Sequence, residues 1–257
     1  MALSGDNLSL VIGGAPLLGG VSIAVSAGSV TAVMGPNGAG KTSLARVLCG
    51  EWKPTEGAVA LSGRGLHDWP AGERAKHLAV LPQHSVLNFP FTAEEVVMLG
   101  RIPHDTGIVH DQEIVEAALA AVDGSYLATR DYMRLSGGER QRVHFARVLA
   151  QIWEPPSEGE RFLILDEPTA SFDLAHQQLT LEVVRRLADQ GVGVLIVLHD
   201  LNLAARCADQ VLLLQCGTIA AAGSPQDVLT EDNLQSVFQV SAHIGTHPVT
   251  GTPLVIT

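Results

Sequence analysis

Val30-Thr31-Ala32-Val33-Met34 runs directly into Gly35-Pro36-Asn37-Gly38-Ala39-Gly40-Lys41-Thr42-Ser43. A short apolar strand followed by GxxxxGK[ST] and then a helical pattern is the context that a phosphate-binding loop requires. The glycines let successive backbone N–H groups curve around phosphate oxygens. The helix that follows turns its positive dipole end, roughly half a charge, toward the same anion. Lys41 is placed to reach the β- and γ-phosphates, and the Thr42 hydroxyl to ligate Mg²⁺. A Gly-rich turn capping a core helix would share the composition, but it would leave the position, length and flanks of the match unexplained.

Working outward, short Val/Ile/Leu-rich runs alternate with longer helical patterns, the rhythm of an α/β domain with a largely parallel central sheet. The spacing predicts strands at Leu8–Val11, Val21–Val25, Val30–Met34, Ala58–Leu61, Leu78–Leu81, Phe162–Leu165 and Val194–Leu198. Several are apolar throughout, as strands covered on both faces should be. Between Asn88 and Pro155 the strand signal gives way to helical patterns at Thr92–Gly100, Asp111–Val122 and Gly138–Trp153, so residues 88–155 are expected to form an inserted helical subdomain. Glu154 to Glu160 is a polar, Pro-containing connection back to the sheet. Val211–Gln215 and Thr218–Ala222 read as strands, and Ser224–Phe238 as helical. At 257 residues the whole chain, 1–257, is expected to be one large domain carrying that insertion.

Two further stretches carry chemistry. Phe162-Leu163-Ile164-Leu165-Asp166-Glu167 sets two carboxylates at the end of a buried strand, where open α/β sheets bind their ligands. Adjacent strand residues face opposite ways, so the two acids are expected to have different jobs: Asp166 in the Mg²⁺ shell, Glu167 polarising a water for in-line attack on the γ-phosphorus. Leu135-Ser136-Gly137-Gly138-Glu139 opens another helix, and Ser136 with two glycine amides makes a second anion site. Ser136 and Glu139 also have capping-box spacing, and the two readings are compatible.

With these motifs in hand, nearly the whole chain resembles the nucleotide-binding subunits of ATP-binding cassette (ABC) transporters. Gly35 to Thr42 looks like the Walker A loop, Gln83 the Q-loop glutamine, Leu135 to Glu139 the family signature, and Phe162 to Glu167 the Walker B strand. Ser171-Phe172-Asp173 looks like the D-loop and His199 like the switch histidine. The resemblance implies a P-loop NTPase (RecA-like) core with an antiparallel β subdomain and an inserted helical subdomain. It also implies ATP with Mg²⁺, and two copies packed head to tail so that each ATP lies between Walker A of one and Ser136, Gly137 and Gly138 of the other. Glu167 is then the expected base, His199 holds the γ-phosphate and orients water, and Gln83 links Mg²⁺ to the helical subdomain. Asp173 of the D-loop is expected among the nucleotide-binding residues. Two departures stand out: Leu10-Val11-Ile12-Gly13-Gly14 lacks the aromatic residue that commonly stacks on adenine, and the D-loop carries Ser171 and Phe172 where small or aliphatic residues are usual.

The stretches Val80-Leu81-Pro82-Gln83-His84, Phe89 to Val97, Leu99 to His104, Leu174-Ala175-His176-Gln177 and the loop before Walker B are similar to the haem-import branch of the iron-chelate and cobalamin importers. That branch implies an ATPase subunit on the cytoplasmic face of the bacterial inner membrane, with two copies of a transmembrane permease and a periplasmic haem-binding protein. Phe89 and Phe91 are candidate permease contacts or, alternatively, core. Ferric siderophores or cobalamin are the alternative cargoes. A soluble ABC-type ATPase of DNA repair or translation is the alternative of another class, but it usually brings a long coiled coil or a second cassette.

Composition narrows the field further. A net charge of −11 disfavours general binding to nucleic acid or anionic lipid. The longest apolar runs are strand-sized, far short of the roughly 20 residues of a membrane helix, so no direct insertion is expected. Met1 to Leu10 has no leader pattern, and the three widely spaced cysteines, Cys49, Cys207 and Cys216, read as reduced, so a cytosolic setting is expected. His243 and His247 are four apart, but Gly245 and Pro248 argue against the helix that would make them a metal clamp.

Overall fold

The computed structural model describes residues 1–83 and 87–257; His84 lies outside the described residues. In chain order, β1 (Ala2–Ile12) and β2 (Ala15–Ser26) form a long hairpin, and β3 (Val30–Met34) leads through the phosphate loop into α1 (Lys41–Leu48). There follow β4 (Glu56–Leu61), β5 (Arg64–Gly65), α2 (Ala71–His77) and β6 (Leu78–Leu81). Three helices, α3 (Ala93–Met98), α4 (Ile108–Ala121) and α5 (Gly137–Gln151), precede β7 (Phe162–Asp166). The remainder is α6 (Leu174–Asp189), β8 (Gly193–Val197), α7 (Leu201–Cys207), β9 (Gln210–Gln215), β10 (Thr218–Gly223), α8 (Pro225–Val228), α9 (Glu231–Phe238), β11 (His243–Thr246) and β12 (Pro253–Ile256).

The central sheet runs β10-β9-β3-β8-β7-β6, with β3 parallel to β8 and β9, and β7 parallel to β6 and β8. Every residue of β3, β7 and β8 is buried, because both faces of the sheet are covered. The pleat sorts them: Leu163, Leu165, Val194 and Ile196 pack toward the helices, while Phe162, Ile164, Leu195 and Val197 pack toward α1 and the antiparallel sheet β2-β1-β4-β5. Parallel pairing sets the carboxyl ends of β3, β8, β7 and β6 side by side on one edge. The phosphate loop, Leu198-His199, Asp166-Glu167 and Pro82-Gln83 all emerge there. This is the fold expected for the motif set: an α/β core, an antiparallel β subdomain and a helical part.

Several boundaries depart from the sequence pattern for local reasons. The helical stretch 224–238 is two helices, because Thr230 Oγ1 accepts from Asn233 N and starts a new helix after the first, capped by Ser224, has ended. β1 and β2 are longer than the alternation suggested, since bulges between Gly5 and Leu8 and on to Val11 break the period of two. α2 carried no apolar stripe; His77 is its one buried residue. Phe91 packs against the core while Phe89 is 61% exposed, with the ring centroids 6.0 Å apart. The three cysteines are free, and burial pushes the Cys207 thiol up to about 12, which makes it inert. His243 lies on β11 rather than a helix, and no metal-holding cluster of His, Cys, Asp or Glu occurs among the described residues.

In the helical part, the Tyr132 hydroxyl meets His144 Nε2 at 2.7 Å, and His144 Nδ1 has no hydrogen-bond partner among the described residues. Burial, with a smaller push from Arg147, drives the His144 pKa down to about 4. The unfolded chain therefore takes up a proton near pH 6.5 that the folded chain refuses until about pH 4, so stability falls as pH drops through that window. The loss should total about 3 kcal/mol, at roughly 1.4 kcal/mol per pH unit. Urea melts at pH 7, 6, 5 and 4 check this: His144→Gln should flatten the slope, and an unchanged slope would remove His144 from the account.

Candidate functional site

At the carboxyl end of β3 the loop closes on itself: Ala39 N donates to Pro36 O, and Leu44 N to Gly40 O. Glycine is obligatory at two of its positions. Gly35 has φ 148° and a Cβ there would stand 2.2 Å from Leu214 O; Gly40 has φ 102° and a Cβ would meet Leu17 O at 2.8 Å. Gly40 is the N-cap of α1 and offers no side-chain oxygen, so the helix's first amides are left for an anion. Lys41, 6% exposed, donates to Gly35 O at 2.8 Å and Pro36 O at 3.0 Å. Burial lowers its pKa, while Glu167 and Asp166 pull it back up.

Asp166 ends β7 fully buried, with Oδ1 at 3.4 Å from Thr42 Oγ1; burial raises its pKa. Two hard oxygen donors, one of them a desolvated carboxylate that favours a positive neighbour, suit a small divalent cation. Glu167 is not the next residue of the pleat. Its backbone sits at φ 53°, off the strand, so the two acids diverge by a left-handed turn rather than by strand alternation alone. Such a conformation in a bulky residue is strained and occurs preferentially at functional sites. Both carboxylate oxygens are held: Gln83 Nε2 donates to Oε2 at 2.8 Å, and His199 Nε2 lies 2.6 Å from Oε1.

Asn37 to Ser43, Gln83 and Glu167 line one cleft of about 300 Å³. Leu17 joins them from β2, a contact the motif reading missed because nothing in the sequence ties that strand to the loop. Ile12, at the tip of the β1–β2 hairpin, is 44% exposed.

The second helix start, expected from the sequence to bind an anion, lies outside this cleft on the same chain. Ser136 caps α5 in a full capping box with Glu139: Ser136 N donates to Glu139 Oε2 at 2.8 Å, and Glu139 N to Ser136 Oγ at 3.3 Å. Ser136 and Gly137 are exposed, and Gly138 lies beside the D-loop, where an added Cβ would meet Ser171 O at 3.2 Å. Asp173 caps α6 by accepting from His176 N and Nδ1, which holds its carboxyl below the usual range. Neither the signature residues nor Asp173 line their own chain's phosphate cleft.

Fold and site together define a phosphate-loop nucleoside triphosphatase whose second glycine-rich helix start, capped by Ser136, lies outside the phosphate cleft of its own chain. A family model described as ABC transporter matches residues 18–170. The hemin import ATP-binding protein HmuV of Pseudomonas entomophila is 53% identical over 98% of this chain and 98% of its own. Its namesake in Pseudomonas putida is 52% identical, also over 98% of both. A solved ATP-binding subunit of an ABC transporter superposes with TM-score 0.79 at 25% identity, covering 89% of this chain and 92% of that one. The chain belongs to the ABC transporter family, as its ATP-binding cassette, an ATPase.

Proposed function

We propose that this chain is the ATP-hydrolysing subunit of a bacterial hemin importer. It works as a head-to-tail pair of copies on the cytoplasmic face of the inner membrane, with two copies of a transmembrane permease and a periplasmic haem-binding protein. The cargo is carried over from the relatives' naming at 53% and 52% identity across the whole chain. No helix among the described residues is long and apolar enough to cross a membrane, so attachment falls to the permease. Residues 1–257 act as one ATP-binding unit, with 88–155 as its helical insert and Phe89 an exposed aromatic on it.

One observation carries the catalytic reading: Glu167 is fixed through both oxygens, by Gln83 and His199, at the mouth of a cleft walled by the phosphate loop. Gly35 to Ser43 cradle the triphosphate with main-chain amides, and Lys41 places a cation on the β- and γ-phosphates. Thr42, Asp166 and Gln83 would hold Mg²⁺, which when bound neutralises the charge developing between β- and γ-oxygens. Glu167 accepts the proton of the attacking water, and His199 orients that water and the γ-phosphate. Ser136 and Gly137 are exposed and, like Gly138, do not line their own chain's cleft, so the three serve the nucleotide of the second copy, and Asp173 borders that shared site. Hydrolysis removes the γ-phosphate contact that favours closure, giving two states of different mutual affinity.

Co-expression with its permease and solubilisation in detergent tests the assignment. The chain should co-purify with the permease, and the complex in vesicles should take up hemin with ATP, with ferric siderophore and cobalamin failing to compete. Uptake of either competitor in preference to hemin would move the cargo. Isolation without any membrane protein would discard the importer reading.

A further inference from the structure

We infer that Asn202 is a positioning residue for His199, acting through the C-terminal hairpin; the inference rests on the catalytic reading of His199 given above. His199 immediately precedes Asp200, the N-cap of α7, which accepts from Asn202 N at 2.8 Å and Leu203 N at 3.1 Å. α7 has seven residues, too few to hold its own shape in water, so its placement comes from what packs on it. Ala204, Ala205 and Cys207 are its buried face, and β12 packs along it.

The Asn202 carboxamide makes the directed contact. Its Oδ1 accepts from Val255 N at 2.8 Å, and its Nδ2 donates to Val255 O at 3.0 Å. Val255 is paired with Ile244 of β11, yet both its main-chain groups go to Asn202, so that edge of β12 faces α7. An amide side chain presents one acceptor and two donors, and here it stands in for the peptide of a neighbouring strand. It thereby satisfies an edge that would otherwise be open. The hairpin is anchored on its other side as well: Glu231 Oε1 contacts His243 Nδ1 at 3.0 Å and accepts from Ile244 N at 3.3 Å. Glu231 opens α9, which is tied to β9 by Gln215 Nε2 donating to Ser236 O. The central sheet, α9, the hairpin and α7 thus form a closed frame, and the imidazole 2.6 Å from Glu167 projects from its end. A frame that fixes α7 fixes the approach of His199 to Glu167, and misplacement by an ångström is enough to slow a positioned reaction.

The test is a double-mutant cycle on the full-length chain, with kcat and KM for Mg-ATP and a thermal melt for each variant. Asn202→Ala should lower kcat roughly five- to thirtyfold, the range that two lost hydrogen bonds can supply. KM should stay within about twofold, because the phosphate loop is untouched. In a His199→Ala background the same substitution should cost nothing further, since it acts through the imidazole. Val255→Pro, which removes the donor of an edge strand together with a buried valine side chain, should reproduce the kcat loss from the hairpin side. An unchanged kcat in Asn202→Ala, an equal loss in both backgrounds, or KM rising in step would overturn the inference, as would failure of both Asn202→Ala and Val255→Pro to fold. If His199→Ala itself hydrolyses ATP normally, the catalytic reading of His199 has failed, an outcome distinct from failure of Asn202.

Discussion

Glu167→Gln is expected to slow ATP hydrolysis by roughly 10²-fold to 10⁴-fold, the range supplied by a positioned general base, and to leave a dimer that survives size exclusion in Mg²⁺ and ATP. The substitution keeps the shape of the side chain and one carbonyl oxygen for Gln83 or His199, the two groups that grip Glu167 at 2.8 and 2.6 Å. It removes the capacity to take a proton from water. It also removes a negative charge from a cleft that must accept the γ-phosphate, so closure around uncleaved ATP becomes easier. The phosphate loop makes no hydrogen bond with Glu167 among the described residues, so nucleotide binding should persist. Hydrolysis within threefold of the unaltered protein would take the base assignment away from Glu167. A monomer at every nucleotide concentration would sink the two-copy arrangement instead, because the exposed Ser136 and Gly137 would then have no nucleotide to serve.

How much of this was legible beforehand depended on the range over which each feature is determined. The phosphate loop could be read residue by residue because its requirements are local: a strand end, glycines at fixed offsets and a helix start. The capping box at Ser136 and Glu139 was readable for the same reason, and it formed as spaced. Gln83 was identifiable by resemblance, but its bond to Glu167 depends on β6 and β7 lying side by side, a parallel pairing between segments about 80 residues apart that no local pattern announces. Phe162 to Glu167 reads as one strand, yet the chain leaves the pleat at Glu167 with φ 53°, a strain the surrounding fold imposes and composition does not reveal. The bond from Asn202 to Val255 spans 53 residues and ends in a tail with weak strand pattern, so neither partner had a signal of its own.

Lys41→Ala is expected to abolish measurable turnover, with a loss of at least about 10³-fold. The ammonium lies beside Asp166 and Glu167, whose charges hold its pKa up against the burial that lowers it. Without it, the triphosphate would approach two carboxylates with only the α1 terminus in compensation. One unit charge at 4 Å in a partly buried site is worth about 4 kcal/mol, which sets the size of the expected loss. The same substitution strips the partner from Gly35 O and Pro36 O, at 2.8 and 3.0 Å, so part of any effect is structural. A carbonyl left unpaired out of water costs about 1–3 kcal/mol, enough to lower the melting temperature by several degrees without unfolding the chain at 10 °C. Rates and fluorescent-nucleotide titrations at that temperature therefore separate the two contributions. A folded Lys41→Ala protein that neither binds nor cleaves ATP meets the expectation. A folded one that hydrolyses within tenfold of the unaltered chain would mean that the triphosphate is bound somewhere other than this loop.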